Sequence, residues 1–224
     1  MFCSGLSLDP SGGPIATGGN SAPATSRLSG SSSSWSALAN MNQARGYQAQ
    51  VTLSDGRIFV IGGSWNGGQG NKNGEVLNIA NNQWTSLAGA IVAPMLTADA
   101  AGVYRADNHA WLFAWKNGWV FQAGPSKAMN WFYMFSNGGQ ASAGLRAADT
   151  DSMCGNALMY DAVAGKILTA GGSPSYSNSA ATTNAHIITL GQPPAVVSVQ
   201  KVASMQFARA FASGVILPNG QGMI

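Results

Sequence analysis

Ser54-Asp55-Gly56-Arg57-Ile58-Phe59-Val60-Ile61-Gly62-Gly63 decides how this 224-residue chain folds. Asp-Gly tolerates the φ > 0 positions of a tight hairpin turn, and the apolar, β-rich run after it reads as a strand. A glycine six residues beyond the turn glycine closes that strand. The same interval recurs along the chain: Gly12 to Gly18-Gly19, Gly118 to Gly124, and Gly165 to Gly171-Gly172.

The Gly-Gly pairs at 19, 63 and 172, with Ala123-Gly124 between them, give steps of 44, 61 and 48 residues. Steps of about 40–50 residues are those of a kelch-type propeller blade, and the long step implies an insertion. Trp35 and Trp84 follow their pairs at comparable distances, where a blade tryptophan packs between neighbours. A second register repeats the period: Ala44-Arg45-Gly46-Tyr47 returns as Ala208-Arg209-Ala210-Phe211, Leu53 as Leu217 and Gly56 as Gly220. The fold expected is therefore all-β, a kelch-type β-propeller of about four blades and the start of a fifth. The repeat calls for glycine at 226–227, beyond Ile224, so the chain reads as one partial domain over 1–224, truncated at both ends. A small β-sandwich with Gly-rich turns is the alternative architecture. Strands are expected at 13–19, 48–53, 57–62, 75–79, 96–103, 110–115, 119–123, 155–160, 166–171, 184–190 and 212–217. Residues 20–34 and 136–152 read as loops, and no long stretch holds a helical period.

Composition narrows the function. Charged residues make up only 8%, against about 25% in typical soluble domains. Seven Trp, eight Phe and five Tyr exclude a disordered chain. The net charge of +3 comes from eleven scattered basic residues, with no run that would mark a nucleic-acid partner. No apolar run approaches a membrane span, and no signal peptide opens the chain. Cys3 and Cys154 do not define a disulfide framework, although in a secreted protein they could pair. The two histidines, His109 and His186, share no metal-ligand spacing with a cysteine or carboxylate. No nucleophile elbow and no phosphate-binding glycine loop is present.

A set of motifs points elsewhere. Phe2-Cys3-Ser4-Gly5, Ala44-Arg45-Gly46-Tyr47-Gln48 and Gly62-Gly63-Ser64-Trp65-Asn66-Gly67-Gly68 are followed by Tyr104-Arg105-Ala106-Asp107-Asn108-His109-Ala110-Trp111. Phe121-Gln122-Ala123-Gly124-Pro125-Ser126, Met153-Cys154-Gly155-Asn156-Ala157 and Ala181-Thr182-Thr183-Asn184-Ala185-His186 complete it. In sequence and spacing, over nearly the whole chain, these resemble the galactose oxidase family of copper-radical alcohol oxidases.

The resemblance implies roles. Cys3 matches the cysteine whose sulfur is joined to the ring of a copper-binding tyrosine, Tyr47 matches that tyrosine, and Trp65 matches the indole stacked on it. Together they would form a protein-derived radical cofactor that lends the hard redox step to a copper site. Arg105 and Tyr176 match substrate-binding positions; a guanidinium donates paired hydrogen bonds to hydroxyls, and an ion pair to Asp107 or Asp99 is its alternative. The implied reaction takes a primary alcohol or sugar and O2 to an aldehyde and hydrogen peroxide, in a secreted protein of unspecified oligomeric state. His109, His186 and Cys154 match no ligand or cross-link and read as packing or strand-pairing residues. Two departures stand out: Ser177 where sugar-oxidising members carry glutamine, and Phe211-Ala212 where the family reads Phe-His. The remaining copper ligands of the family lie beyond Ile224, so this chain alone is expected to bind copper poorly and to be inactive. A non-enzymatic kelch module binding glycans or proteins, or an inactive relative, is the competing class; the Cys3–Tyr47–Trp65 trio argues against the module.

Overall fold

The computed structural model describes residues 2–30, 33–99 and 103–224. Four sheets of four antiparallel strands follow one another, then a short hairpin. The first blade is β1 (Gly5–Leu8), β2 (Pro14–Thr17), β3 (Thr25–Leu28) and β4 (Trp35–Leu38). The second is β5 (Ala49–Thr52), β6 (Ile58–Ile61), β7 (Gly74–Asn78) and β8 (Gln83–Leu87), and the third is β9 (Trp111–Ala114), β10 (Trp119–Gly124), β11 (Ala128–Tyr133) and β12 (Gly139–Leu145). The fourth is β13 (Asn156–Asp161), β14 (Lys166–Ala170), β15 (Ala185–Thr189) and β16 (Ser198–Lys201); β17 (Val215–Ile216) and β18 (Gly222–Met223) begin a fifth. Every blade runs in sequence order from its first strand to its last. This is the four-blade propeller arrangement that the glycine repeat implied.

The core lies between blades. Successive side chains of a strand face opposite sides of its sheet, and in β6 both sides are covered. Ile58 and Val60 pack with Ile15, Met41, Leu77 and Trp84 at the first–second blade interface. Phe59 and Ile61 pack with Leu87, Met95, Val120 and Phe132 at the second–third. Phe121, Trp131, Ala143, Ile167 and Ile188 fill the third–fourth. Trp84 takes the inter-blade place expected of it, its indole N–H donating to the Ala39 carbonyl at 2.9 Å. Trp35 does not: it is 54% exposed on the outer strand of the first blade.

Three expectations are corrected. Residues 20–34 contain β3, whose Thr25-Ser26-Arg27-Leu28 is mostly half-buried and so shows no apolar alternation. Residues 136–152 contain β12, a strand of Gly, Ala and Ser whose Ala143 is fully buried. No strand covers the described part of 96–103. A 3₁₀ turn, Ala93–Met95, precedes it and a single helical turn, Val103–Ala106, follows. Pro94 removes a ladder donor, the Thr97 N–H donates to the Ala106 carbonyl at 2.9 Å, and the Ala98 N–H donates to the Asp151 carboxylate at 2.6 Å.

A buried histidine joins two blades. His186 Nε2 lies 3.1 Å from Asp149 Oδ2, yet burial, the leading influence, holds the imidazole pKa below its usual value. Asp149 opposes that lowering, while Arg146 and Lys201 reinforce it. The unfolded chain therefore binds a proton that the folded chain resists, and stability present above about pH 6.5 is lost as the pH falls. His186→Gln should flatten that part of the stability–pH curve in urea titrations. Phe59→Ala, which empties a wholly buried site, should lower unfolding stability by about 3–5 kcal/mol in the same assay.

Candidate active site

Five residues with left-handed backbone mark one mouth of the propeller: Cys3 (φ 60°), Tyr47 (59°), His109 (59°), Cys154 (56°) and Phe211 (57°). The first four each precede the inner strand of their blade by two residues. Main-chain hydrogen bonds link neighbours around the mouth: Tyr47 N–H to the Cys3 carbonyl (2.9 Å), His109 N–H to Tyr47 (3.0 Å) and Phe211 N–H to Cys154 (2.8 Å). Non-glycine residues adopt this conformation at a cost, and these bonds hold them there.

Tyr47 is the centre of the arrangement. The Cys3 side chain beside its phenol first, then burial, push its pKa above the ordinary tyrosine range, and Tyr176 adds to the rise. Trp65 meets the Tyr47 ring with centroids 5.1 Å apart and planes at 60°, an edge contact rather than a parallel stack. Gly46 makes the approach possible, because a methyl there would overlap the indole. On its other side Tyr47 meets His109 at 4.5 Å, and His109 stacks on Tyr176 at 5.3 Å and 13°. Tyr176 in turn meets Phe211 edge-on at 5.2 Å. His109, expected as a packing or strand-pairing residue, packs between the Tyr47 and Tyr176 rings. Burial lowers its pKa to about 4, so at neutral pH it is an uncharged aromatic wall between two tyrosines.

Arg105, on the helical turn, donates from Nη1 to Ser177 Oγ at 2.6 Å, and its guanidinium lies 4.7 Å over the Tyr176 ring. The Tyr176 N–H donates to Asp99 Oδ2 at 3.0 Å, fixing the loop that carries both residues. The structure thus brings Cys3, Tyr47, Trp65, Tyr176 and Arg105 into one connected group. Cys154 occupies the fourth blade's counterpart of the Cys3 position, beside Phe211 instead of a tyrosine; burial raises its thiol to about 11. The two cysteines are unpaired. An open cavity of about 660 Å³, lined by Cys3, Tyr47, His109, Leu6 and Trp35 among others, gives access to the group.

The Kelch motif family matches residues 45–89. Galactose oxidase from Gibberella zeae is 56% identical over 229 aligned residues, which cover all of this chain and 34% of that protein. The chain is homologous to galactose oxidase. A solved structure of a fungal alcohol oxidase of the AA5 family, in complex with copper, superposes with a TM-score of 0.95 at 52% identity, over 99% of this chain and 46% of that one. The chain thus spans about a third of the length of the curated relatives it matches.

Tyr47 offers one phenolate oxygen suited to Cu(II), an ion that favours several N and O ligands in tetragonal geometry. Among the described residues no group of three or more His, Cys, Asp or Glu side chains is placed to hold a metal. Gly46→Ala should displace Trp65 from Tyr47 without unfolding the blades: far-UV circular dichroism unchanged, the near-UV aromatic signal altered.

Proposed function

We propose that this chain forms part of a copper-radical oxidase that converts a primary alcohol and O2 to an aldehyde and hydrogen peroxide. The placement of Cys3 beside the Tyr47 phenol, with the Trp65 indole edge-on to the same ring, carries the reading, supported by 56% identity to galactose oxidase along the whole chain. Cys3 and Tyr47 would be joined by a thioether, the sulfur bonding to a ring carbon with loss of the thiol hydrogen and the ring hydrogen to O2. Sulfur on the ring and a neighbouring indole spread an unpaired electron and make a tyrosyl radical easier to store. Copper, when bound, supplies the second one-electron acceptor that a two-electron alcohol oxidation needs. Its further ligands would come from outside these 224 residues, and the chain by itself would be inactive.

Arg105 and Tyr176 are assigned to substrate. The Ser177 hydroxyl already accepts from the guanidinium, and serine lacks the reach of a glutamine toward a sugar hydroxyl. General primary alcohols are therefore the substrate class, in preference to strict recognition of galactose. Secretion belongs to the same proposal through the resemblance; among the described residues no helix is long and apolar enough to cross a membrane.

Peptide mapping of the protein isolated from its natural host tests the reading. A single species containing the Cys3 and Tyr47 peptides, lighter than their sum by two hydrogen atoms, is the expected result, and Cys3→Ser should abolish it. Separate, unmodified peptides in protein isolated with its copper would refute it.

A further inference from the structure

The loop that carries Trp65 is held from three directions by groups with no part in the chemistry proposed above. Ser64 donates its N–H to Asp107 Oδ1 at 3.0 Å and its hydroxyl to Asp107 Oδ2 at 2.7 Å. The same hydroxyl oxygen accepts from the Gly70 N–H at 2.9 Å, closing the loop on itself. The ammonium of Lys72 donates to the carbonyls of Ala44 (2.6 Å) and Gly67 (2.7 Å), tying the loop to the segment that leads into Tyr47. Asn66 reaches the Gly19 carbonyl on the first blade at 2.7 Å. Ser64, Lys72 and Asp107 are each no more than 4% exposed.

We infer that Asp107, acting through Ser64, is a positioning residue that fixes the Trp65 indole against Tyr47. The carboxylate belongs to the third blade, two residues before His109, and the loop to the second. The aspartate therefore sets the indole by the same inter-blade seam that sets the two rings flanking Tyr47. A bidentate acceptor for one residue's N–H and O–H fixes both the position and the rotation of Ser64, and Trp65 is its immediate neighbour. Leaving the carboxylate buried without those donors is costly, so the loop and the aspartate hold one another. The chemical consequence of this positioning, control of the stored radical, rests on the copper-radical reading; its structural consequence does not.

The test uses Asp107→Ala, Ser64→Ala and the double variant, with each also carrying Trp65→Phe so that the Trp65 contribution to fluorescence is obtained by difference. Acrylamide quenching of Trp65 in the metal-free protein should rise in both single variants, and the double variant should add little, as expected for two residues acting as a unit. In the copper-loaded protein from the natural host, the reduction potential of the Tyr47 radical should shift in Ser64→Ala, which removes only a hydroxyl and keeps the fold even if Asp107→Ala does not. Unchanged quenching in Ser64→Ala, or additive effects of the two changes, would overturn the inference. Increased quenching in a protein without the Cys3–Tyr47 bond would leave the positioning role standing and remove the radical reading.

Discussion

The amide of the second glycine in each Gly-Gly pair donates to a carbonyl on the following blade: Gly19 to Arg45 (2.8 Å), Gly63 to Asp107 (3.2 Å) and Gly172 to Arg209 (2.7 Å). Only a backbone free to take positive φ, as all three glycines do, turns its N–H outward there. Side chains are excluded as well, since a methyl at Gly62 would overlap the Asp107 carbonyl and one at Gly19 the Phe2 carbonyl. Two residues beyond each accepting carbonyl stand Tyr47, His109 and Phe211. The seam between blades and the side chains at the mouth are thus one construction, and moving the glycine moves the tyrosine.

Several of the few charges of this chain are spent inside it. Arg45 is fully buried and pairs with Glu75 at 2.8 Å, while its remaining donors serve the carbonyls of Gly62, Lys72 and Asn73. Arg146 repeats the device in the third blade, donating to Ala123, Pro125 and Ser126 carbonyls with its guanidinium 5.2 Å over Trp111. Burial lowers its pKa to about 10, so it remains a cation at neutral pH. Both sit where the ladders stop and carbonyls would otherwise lack donors.

What was legible in the sequence followed the glycines. Second strands such as β6, β10 and β14 carry apolar residues on both faces and run into the expected glycine, and β17 lies within the strand expected at 212–217. The outer strands were less legible because water covers much of them: β3 and β4 are half-buried or exposed over most of their length, and β12 is built mainly from small residues that let the fourth blade approach. At the site, Cys3, Tyr47 and Trp65 were named from motifs alone. His109 was not, because Asp107-Asn108-His109 shares no residue with Arg45-Gly46-Tyr47 although both occupy the same place in the seam. The register of backbone hydrogen bonds, not residue identity, makes them equivalent.

That equivalence explains how a strained ring can persist. Each non-glycine residue at positive φ costs of order 1–3 kcal/mol, and five such residues stand around the mouth. The strain is tolerated because the same peptide units that adopt it also carry the bonds joining one blade to the next, so relaxing it would break the seam. Side chains on this ring need no mobile loop to bring them together. Cys3 and Tyr47, nearly a blade apart in sequence, are brought to one cavity by neighbouring blades. Their approach is fixed by the packing of Ile58 and Val60 against Ile15 as much as by any contact at the site.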